Sequence, residues 1–243
     1  MGNVLQIRNK TPAESRNLTK SKISFIRDTD RYGGWGLAGI ASSYDRYKSL
    51  YDSEFLKIMV SKAKRTKLGE SVRFLDLGPG KGEYLNEMLK ELGVYTGKIN
   101  PEGKYGPYEL HTLEAAHINS KNPAKRHIGY FETYDTRKLG KFDIIVDEFG
   151  PTHKGDNPSV LIIKTTDILK VGGVLYIAEA RQDNINKVKR ALGNNIQIKN
   201  FGVDTGPVNP GIDTGLIDCI DIGLVNPSTD TSSVDCRIMK VSE

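Results

Sequence analysis

The chain predicts an α/β fold with a mostly parallel sheet, and three features carry that expectation. A glycine-rich turn joins a short apolar strand to an amphipathic helix within residues 72–92. Strand and helix patterns then alternate up to residue 192. Beyond Gly193 only extended segments remain. Alternating strands and helices are the pattern of a parallel sheet with helices on its faces.

Each element follows from local pattern. Residues 1–20 are polar, carry little periodicity and read as a loose arm. Arg31-Tyr32-Gly33-Gly34-Trp35-Gly36 sets the one tryptophan among three glycines. Over Ile40–Lys64, Tyr44, Tyr47, Tyr51 and Phe55 recur at steps of three and four, which is a helix with an aromatic stripe. That stripe reads either as a face packed on the core or as an aromatic wall beside a substrate. Val72–Leu77 is the first strand, and Glu83–Leu92 a helix with Leu85, Met88, Leu89 and Leu92 on one face. Residues 94–108, rich in Gly, Pro and Lys, read as a surface insertion. Tyr108–Glu114, His127–Tyr134, Phe142–Asp147 and Gly173–Glu179 are the next four strands, with helices at Ser159–Leu169 and Asn184–Leu192. Ile196–Val203, Leu216–Val225 and Val234–Val241 are extended, the last two expected to pair as a hairpin across residues 226–233.

Composition narrows the class. The 243 residues, 37% hydrophobic and 27% charged, suit one large α/β domain of a soluble globular protein. No apolar run approaches the roughly 18 residues a membrane span needs. No secretory leader is visible, so a cytoplasmic location is expected. Cys219 and Cys236 have no Cys or His at zinc spacing, and no metal site is expected. They read as buried thiols, although a hairpin would let them face one another. The net charge of +5 is uneven: residues 1–73 hold 15 Lys+Arg against 7 Asp+Glu, and residues 204–243 hold 2 against 7. The basic front end reads as a solvated face or as a surface for an anionic partner such as RNA.

The glycine turn carries the chemistry. A strand, a glycine turn and a helix open a nucleotide-binding βαβ unit, and the helix N-terminus offers unpaired N–H groups to a ligand. The glycines here run G-x-G-x-G after an acid, which is neither the dinucleotide fingerprint nor the phosphate loop, since Lys81 is followed by Gly82. Asp76-Leu77-Gly78-Pro79-Gly80-Lys81-Gly82 resembles motif I of the class I S-adenosylmethionine-dependent methyltransferases. Phe142-Asp143-Ile144-Ile145-Val146-Asp147-Glu148-Phe149-Gly150-Pro151 resembles their motif IV. Leu169-Lys170-Val171-Gly172-Gly173-Val174-Leu175-Tyr176-Ile177 resembles the segment leading into and along their fifth strand. The three matches stand in the family's order across about half the chain.

The resemblance implies a Rossmann-like seven-stranded, mostly parallel sheet with a C-terminal antiparallel hairpin and an N-terminal helical cap. Residues 1–65 would be arm and cap, and residues 66–243 the S-adenosyl-L-methionine-binding methyltransferase domain. It implies cofactor contacts from Asp76, Gly78, Gly80, Gly82, Glu114, Glu132 and Asp147. Glu114, at the end of the second strand, would accept ribose hydroxyls, and Glu132, with Asp135 an eligible neighbour, would meet the adenine. Tyr130 or Phe131 would stack on the base. Asp147, Glu148 and His153, just past the fourth strand, are the catalytic candidates, with His153 the base if one is used. Tyr32, Trp35, Tyr44 and Tyr47 are candidates for binding the acceptor.

Missing motifs shape the acceptor class. No Asn/Asp-Pro-Pro-Tyr-like loop follows the fourth strand, as adenine amino-methyltransferases have. No lysine ends the fifth strand as the ribose methyltransferase tetrad requires, and no cysteine lies near the fourth or fifth strand for cytosine C5 chemistry. The expected activity is therefore methyl transfer to a protein side chain or small molecule. The alternatives are an RNA-directed methyltransferase using the basic N-terminal face, and a catalytically silent binding protein on the same fold.

Overall fold

Val72–Leu77 (β1) forms because its apolar residues, Phe74, Leu75 and Leu77, are fully enclosed between helices on both faces of a sheet. The computed structural model describes residues 54–114, 121–148, 150–203 and 233–242. Tyr32, Trp35, Tyr44, Tyr47, Tyr51, Cys219 and the extended candidate at 216–225 lie outside them.

In chain order the described elements begin with helix Glu54–Arg65 (α1), β1, and helix Tyr84–Glu91 (α2). Strands Lys104–Tyr105 (β2), Tyr108–Glu114 (β3), Lys125–Ile128 (β4) and Phe142–Asp147 (β5) follow. Helices Pro151–Lys154 (α3) and Pro158–Asp167 (α4), strand Leu169–Arg181 (β6) and helix Gln182–Leu192 (α5) come next. Strands Ile196–Val203 (β7) and Ser233–Lys240 (β8) close the series.

One eight-stranded sheet runs β2-β3-β1-β5-β6-β8-β7, with β4 on the same outer edge of β3 as β2. Strands β4, β3, β1, β5 and β6 are parallel neighbours, while β8 lies antiparallel between β6 and β7. Numbering only the six co-directional strands gives the order 3-2-1-4-5-6 of a doubly wound nucleotide-binding sheet, with β8 inserted before the last. This is the expected Rossmann-like architecture, mostly parallel with an antiparallel C-terminal pair. The strand beyond the expected seven is β2, a two-residue pairing inside the stretch read as a surface insertion.

Two core layers sandwich the sheet. Phe55 and Met59 of α1, and Leu85 and Met88 of α2, pack with Phe74, Ile144, Val146 and Tyr176 on one face. Leu161 and Ile162 of α4, and Ile185 and Val188 of α5, pack with Leu75, Leu77, Ile145 and Leu175 on the other. Each such side chain contributes about 1.5–3 kcal/mol relative to exposure. On β1, β3 and β5 side chains alternate between these layers, so position parity decides which face a polar residue joins.

Three expectations need correction. The third parallel strand is Lys125–Ile128, not His127–Tyr134, because Gly129 (φ 156°) turns the chain away and residues 130–134 form a hydrogen-bonded turn. The hairpin partner of β8 is β7 rather than residues 216–225, since β8 has β6 on one edge and β7 on the other. The Gly172-Gly173 pair does not start β6 but bulges within it. Leu169 pairs with Phe142 and Val174 with Ile144, so residues 170–173 are looped out past a single residue.

Candidate functional site

The reversal of strand order between β1 and β5 opens a crevice at the carboxyl ends of the strands, and ligands bind there in open α/β sheets. Asp76 sits at the last inward position of β1, fully buried, and accepts a hydrogen bond from the Tyr84 hydroxyl of α2. The chain then turns through Gly78 (φ 86°), Gly80 (φ 56°) and Gly82 (φ 62°), all in the left-handed region that favours glycine. Gly78 N–H donates to Leu113 O at the end of β3, and Gly82 N–H donates to Pro79 O, closing the turn.

Gly82 leads to two residues that motif reasoning passed over. A Cβ there would lie 2.6 Å from the amide nitrogen of Asn122, a buried side chain in the approach to β4. Asn122 Nδ2 donates to Glu114 Oε1 (3.2 Å) and Thr112 Oγ1 (3.4 Å), while its Oδ1 accepts from Ala124 N–H (2.9 Å). Glu114, only 3% exposed, is further held by Arg126 of β4 in a two-pronged ion pair. Nε meets Oε1 at 3.0 Å and Nη2 meets Oε2 at 2.5 Å. Thr112 Oγ1 adds a third donor on Oε1 (3.1 Å). Register gives the signal that would have found Arg126. It pairs with Thr112 in the parallel β3–β4 ladder and so shares the face of Thr112 and Glu114.

The remaining acids fall elsewhere. Asp147, fully buried, lies two residues after Ile145 and therefore on the opposite face of the sheet from Asp76 and Glu114. Its Oδ1 accepts from Gly150 N–H (2.7 Å) and its Oδ2 from Thr152 N–H (3.0 Å), so it braces the start of α3. Burial raises its pKa to about 6, against the lowering effect of those same bonds. Gly150 has no room for a side chain, as a Cβ would stand 2.0 Å from Leu77 O, and this draws the loop after β5 against the end of β1. Glu148 is buried and Glu132 exposed, the Glu132 carboxylate lying 3.1 Å from where a Gly155 Cβ would be. His153 is on α3, and its side chain is outside the described ones. Phe131 is enclosed in the second core layer with the Lys164 ammonium 5.0 Å from its ring centre, whereas Tyr130 is half-buried. Lys164 Nζ also donates to the carbonyls of Phe131, Glu132 and Tyr134, fixing the turn after β4 onto α4.

The structure thus gathers Asp76, the three glycines, Glu114, Asn122 and Arg126 on one side of the crevice. It sets Asp147 and Glu132 on the other. No cluster of His, Cys, Asp and Glu suited to a metal ion occurs among the described residues.

No protein-family model matches the chain, and no curated protein is similar to it in sequence. Among solved structures it is similar to the plantazolicin methyltransferase BpumL in complex with SAH, at 13% identity and a TM-score of 0.48, over 93% of this chain and 98% of that one. It is also similar to a precorrin-6y C5,15-methyltransferase from Geobacter metallireducens GS-15 (11% identity, TM-score 0.39, 76% and 89% covered). A third is an rRNA methylase from Streptococcus thermophilus (14% identity, TM-score 0.41, 78% and 95% covered).

Proposed function

We propose that the protein is an S-adenosylmethionine-dependent methyltransferase whose acceptor is a protein side chain or a small molecule. The observation that carries the reading is the turn at the end of β1. Buried Asp76 and three glycines at positive φ stand at the strand-order reversal, beside the buried strand-end acid Glu114. These residues fit the cofactor. A turn without side chains lets a ligand lie on backbone N–H groups, and a carboxylate at the end of β3 accepts sugar hydroxyls. Gly78, Gly80 and Gly82 would hold the methionine end and Glu114 the ribose, with Glu132 and Tyr130 the candidates for the adenine side. The cofactor supplies a methyl group already activated on a sulfonium.

What remains for the protein is to align the acceptor, exclude water and take up its proton. Asp147, with its pKa raised to about 6, is built for bracing the β5 loop, since both carboxylate oxygens are bonded to backbone N–H groups. In this reading it positions the wall of the crevice rather than taking the proton. His153 and Glu148 stay the candidates for that role, and Tyr32, Trp35, Tyr44 and Tyr47 those for the acceptor wall.

The test supplies methyl-labelled S-adenosylmethionine to the protein together with separated protein, RNA and metabolite fractions. Label entering the protein or metabolite fraction is the expected result. Label in RNA alone would favour an RNA acceptor, met by the basic front end. Cofactor bound but never consumed in any fraction would make the chain a binding protein.

A further inference from the structure

We infer that Arg126 is a positioning residue that limits Glu114 to a single sugar hydroxyl and so sets which hydroxyl the site reads. The inference rests on the cofactor reading above. An ionised carboxylate offers about four lone-pair positions, two on each oxygen. In Glu114, Oε1 already takes three donors, from Thr112, Asn122 and Arg126 Nε. Among the described residues Oε2 takes one, from Arg126 Nη2. A vicinal diol held two-handed by a carboxylate needs one position on each oxygen, and Oε1 has none to give. Oε2 has one.

The arrangement is stiff, which is why it can select. Arg126 and Glu114 sit on neighbouring strands in fixed parallel register, and the fork geometry sets the plane of the carboxylate. Asn122 bonds the same oxygen from the side and fills the space a Gly82 Cβ would need, which links the acid to the turn. The Glu114 carboxylate therefore presents one acceptor, in one direction, at a fixed distance from the glycine turn. A neutral residue at position 126 would release both oxygens from the fork and let the carboxylate rotate, so that two hydroxyls could reach it.

The experiment titrates the full-length protein with S-adenosylhomocysteine and with its 2′-deoxy and 3′-deoxy analogues, following heat of binding. One analogue should bind within about threefold of the parent, and the other should lose on the order of tenfold or more, the scale of one charge-assisted hydrogen bond. Arg126→Gln should bring the two analogues to similar affinities. Thr112→Val, which also strips a donor from Oε1 but leaves the fork, should keep the preference. A merely structural role for Arg126 would move both variants alike. If both analogues lose equally or neither does in the unaltered protein, the inference is overturned while the cofactor reading stands. A preference that survives in Arg126→Gln overturns the role of Arg126. If the parent compound does not bind at all, both readings fall.

Discussion

His111 shows how a buried polar residue on this sheet is satisfied and what that implies for pH. It lies on the face opposite Glu114, 2% exposed, with Nε2 2.6 Å from Glu109 Oε1 and Nδ1 2.9 Å from His127 Nε2. The Tyr134 hydroxyl reaches His127 Nδ1 at 3.3 Å, and Arg73 Nη2 approaches His111 Nε2 at 3.1 Å. Burial lowers the pKa of both imidazoles, that of His111 to about 4. Between that value and the ordinary 6.5, the unfolded chain binds the proton the native state refuses, so stability falls as pH drops. Asp147 acts with the opposite sign. Its native pKa of about 6 lies above the ordinary 3.8, so the native state holds the extra proton there, and stability falls as pH rises through that window. Urea unfolding followed from pH 4 to pH 7 should separate the two. Relative to the unaltered protein, His111→Gln should flatten the rise of stability with pH, and Asp147→Asn should steepen it. Parallel curves for all three proteins would contradict these assignments. Neither partnership was legible beforehand. His111 and His127 stand sixteen positions apart, and only the register of β3 on β4 brings their faces together.

At the scale of elements, strands that are apolar and enclosed could be read to the residue, as Val72–Leu77, Tyr108–Glu114 and Phe142–Asp147 were. β4 could not. Lys-Arg-His-Ile is half exposed throughout, and its residues are chosen for bonds to β3 rather than for burial. β8 was recognised as a strand but given the wrong neighbour, because local turn signals favour the nearest extended run whereas the sheet edge was already taken by β7. α1 illustrates the complementary limit. Periodicity forecast a helix with Phe55 on an aromatic stripe, packed or substrate-facing, but not its partner, which is Tyr176 of β6, edge-on at 6.4 Å between ring centres. The end of the helix is tied to the same strand by Lys62 Nζ donating to Gly172 O at 2.8 Å. Since Phe55 and Met59 have no exposed surface, α1 is part of the core layer it covers. Phe55→Ala should destabilise the protein by about 3–5 kcal/mol in urea unfolding. A loss below about 1 kcal/mol would mean that α1 docks on a core that is already complete without it.

Across the whole described sheet, chemistry and packing are divided by parity and by end. The two core layers fill the middle of both faces, and the buried acids Asp76, Glu114 and Asp147 stand at the carboxyl ends of β1, β3 and β5. The glycine turn was legible because its chemistry is local, a strand running into residues that only a left-handed backbone accommodates. Asn122 and Arg126 were not, because nothing in Lys121-Asn122-Pro123-Ala124-Lys125-Arg126 distinguishes it from a surface loop until β4 is laid on β3. Asp147 was legible as a strand-end acid, but not the face it takes, which follows from its place in β5. In the proposed function this turn receives S-adenosylmethionine or its demethylated product. Calorimetric titration of S-adenosylhomocysteine into the unaltered protein and into Gly80→Val tests it most directly. Gly80 stands at φ 56°, where a branched residue is strained, and its side chain would rise into the space assigned to the methionine end. Saturable binding by the unaltered protein is expected, with none by Gly80→Val although it remains folded by circular dichroism, and no heat from NAD or ATP. Equal binding by both proteins, or tighter binding of NAD or ATP than of S-adenosylhomocysteine, would contradict that function.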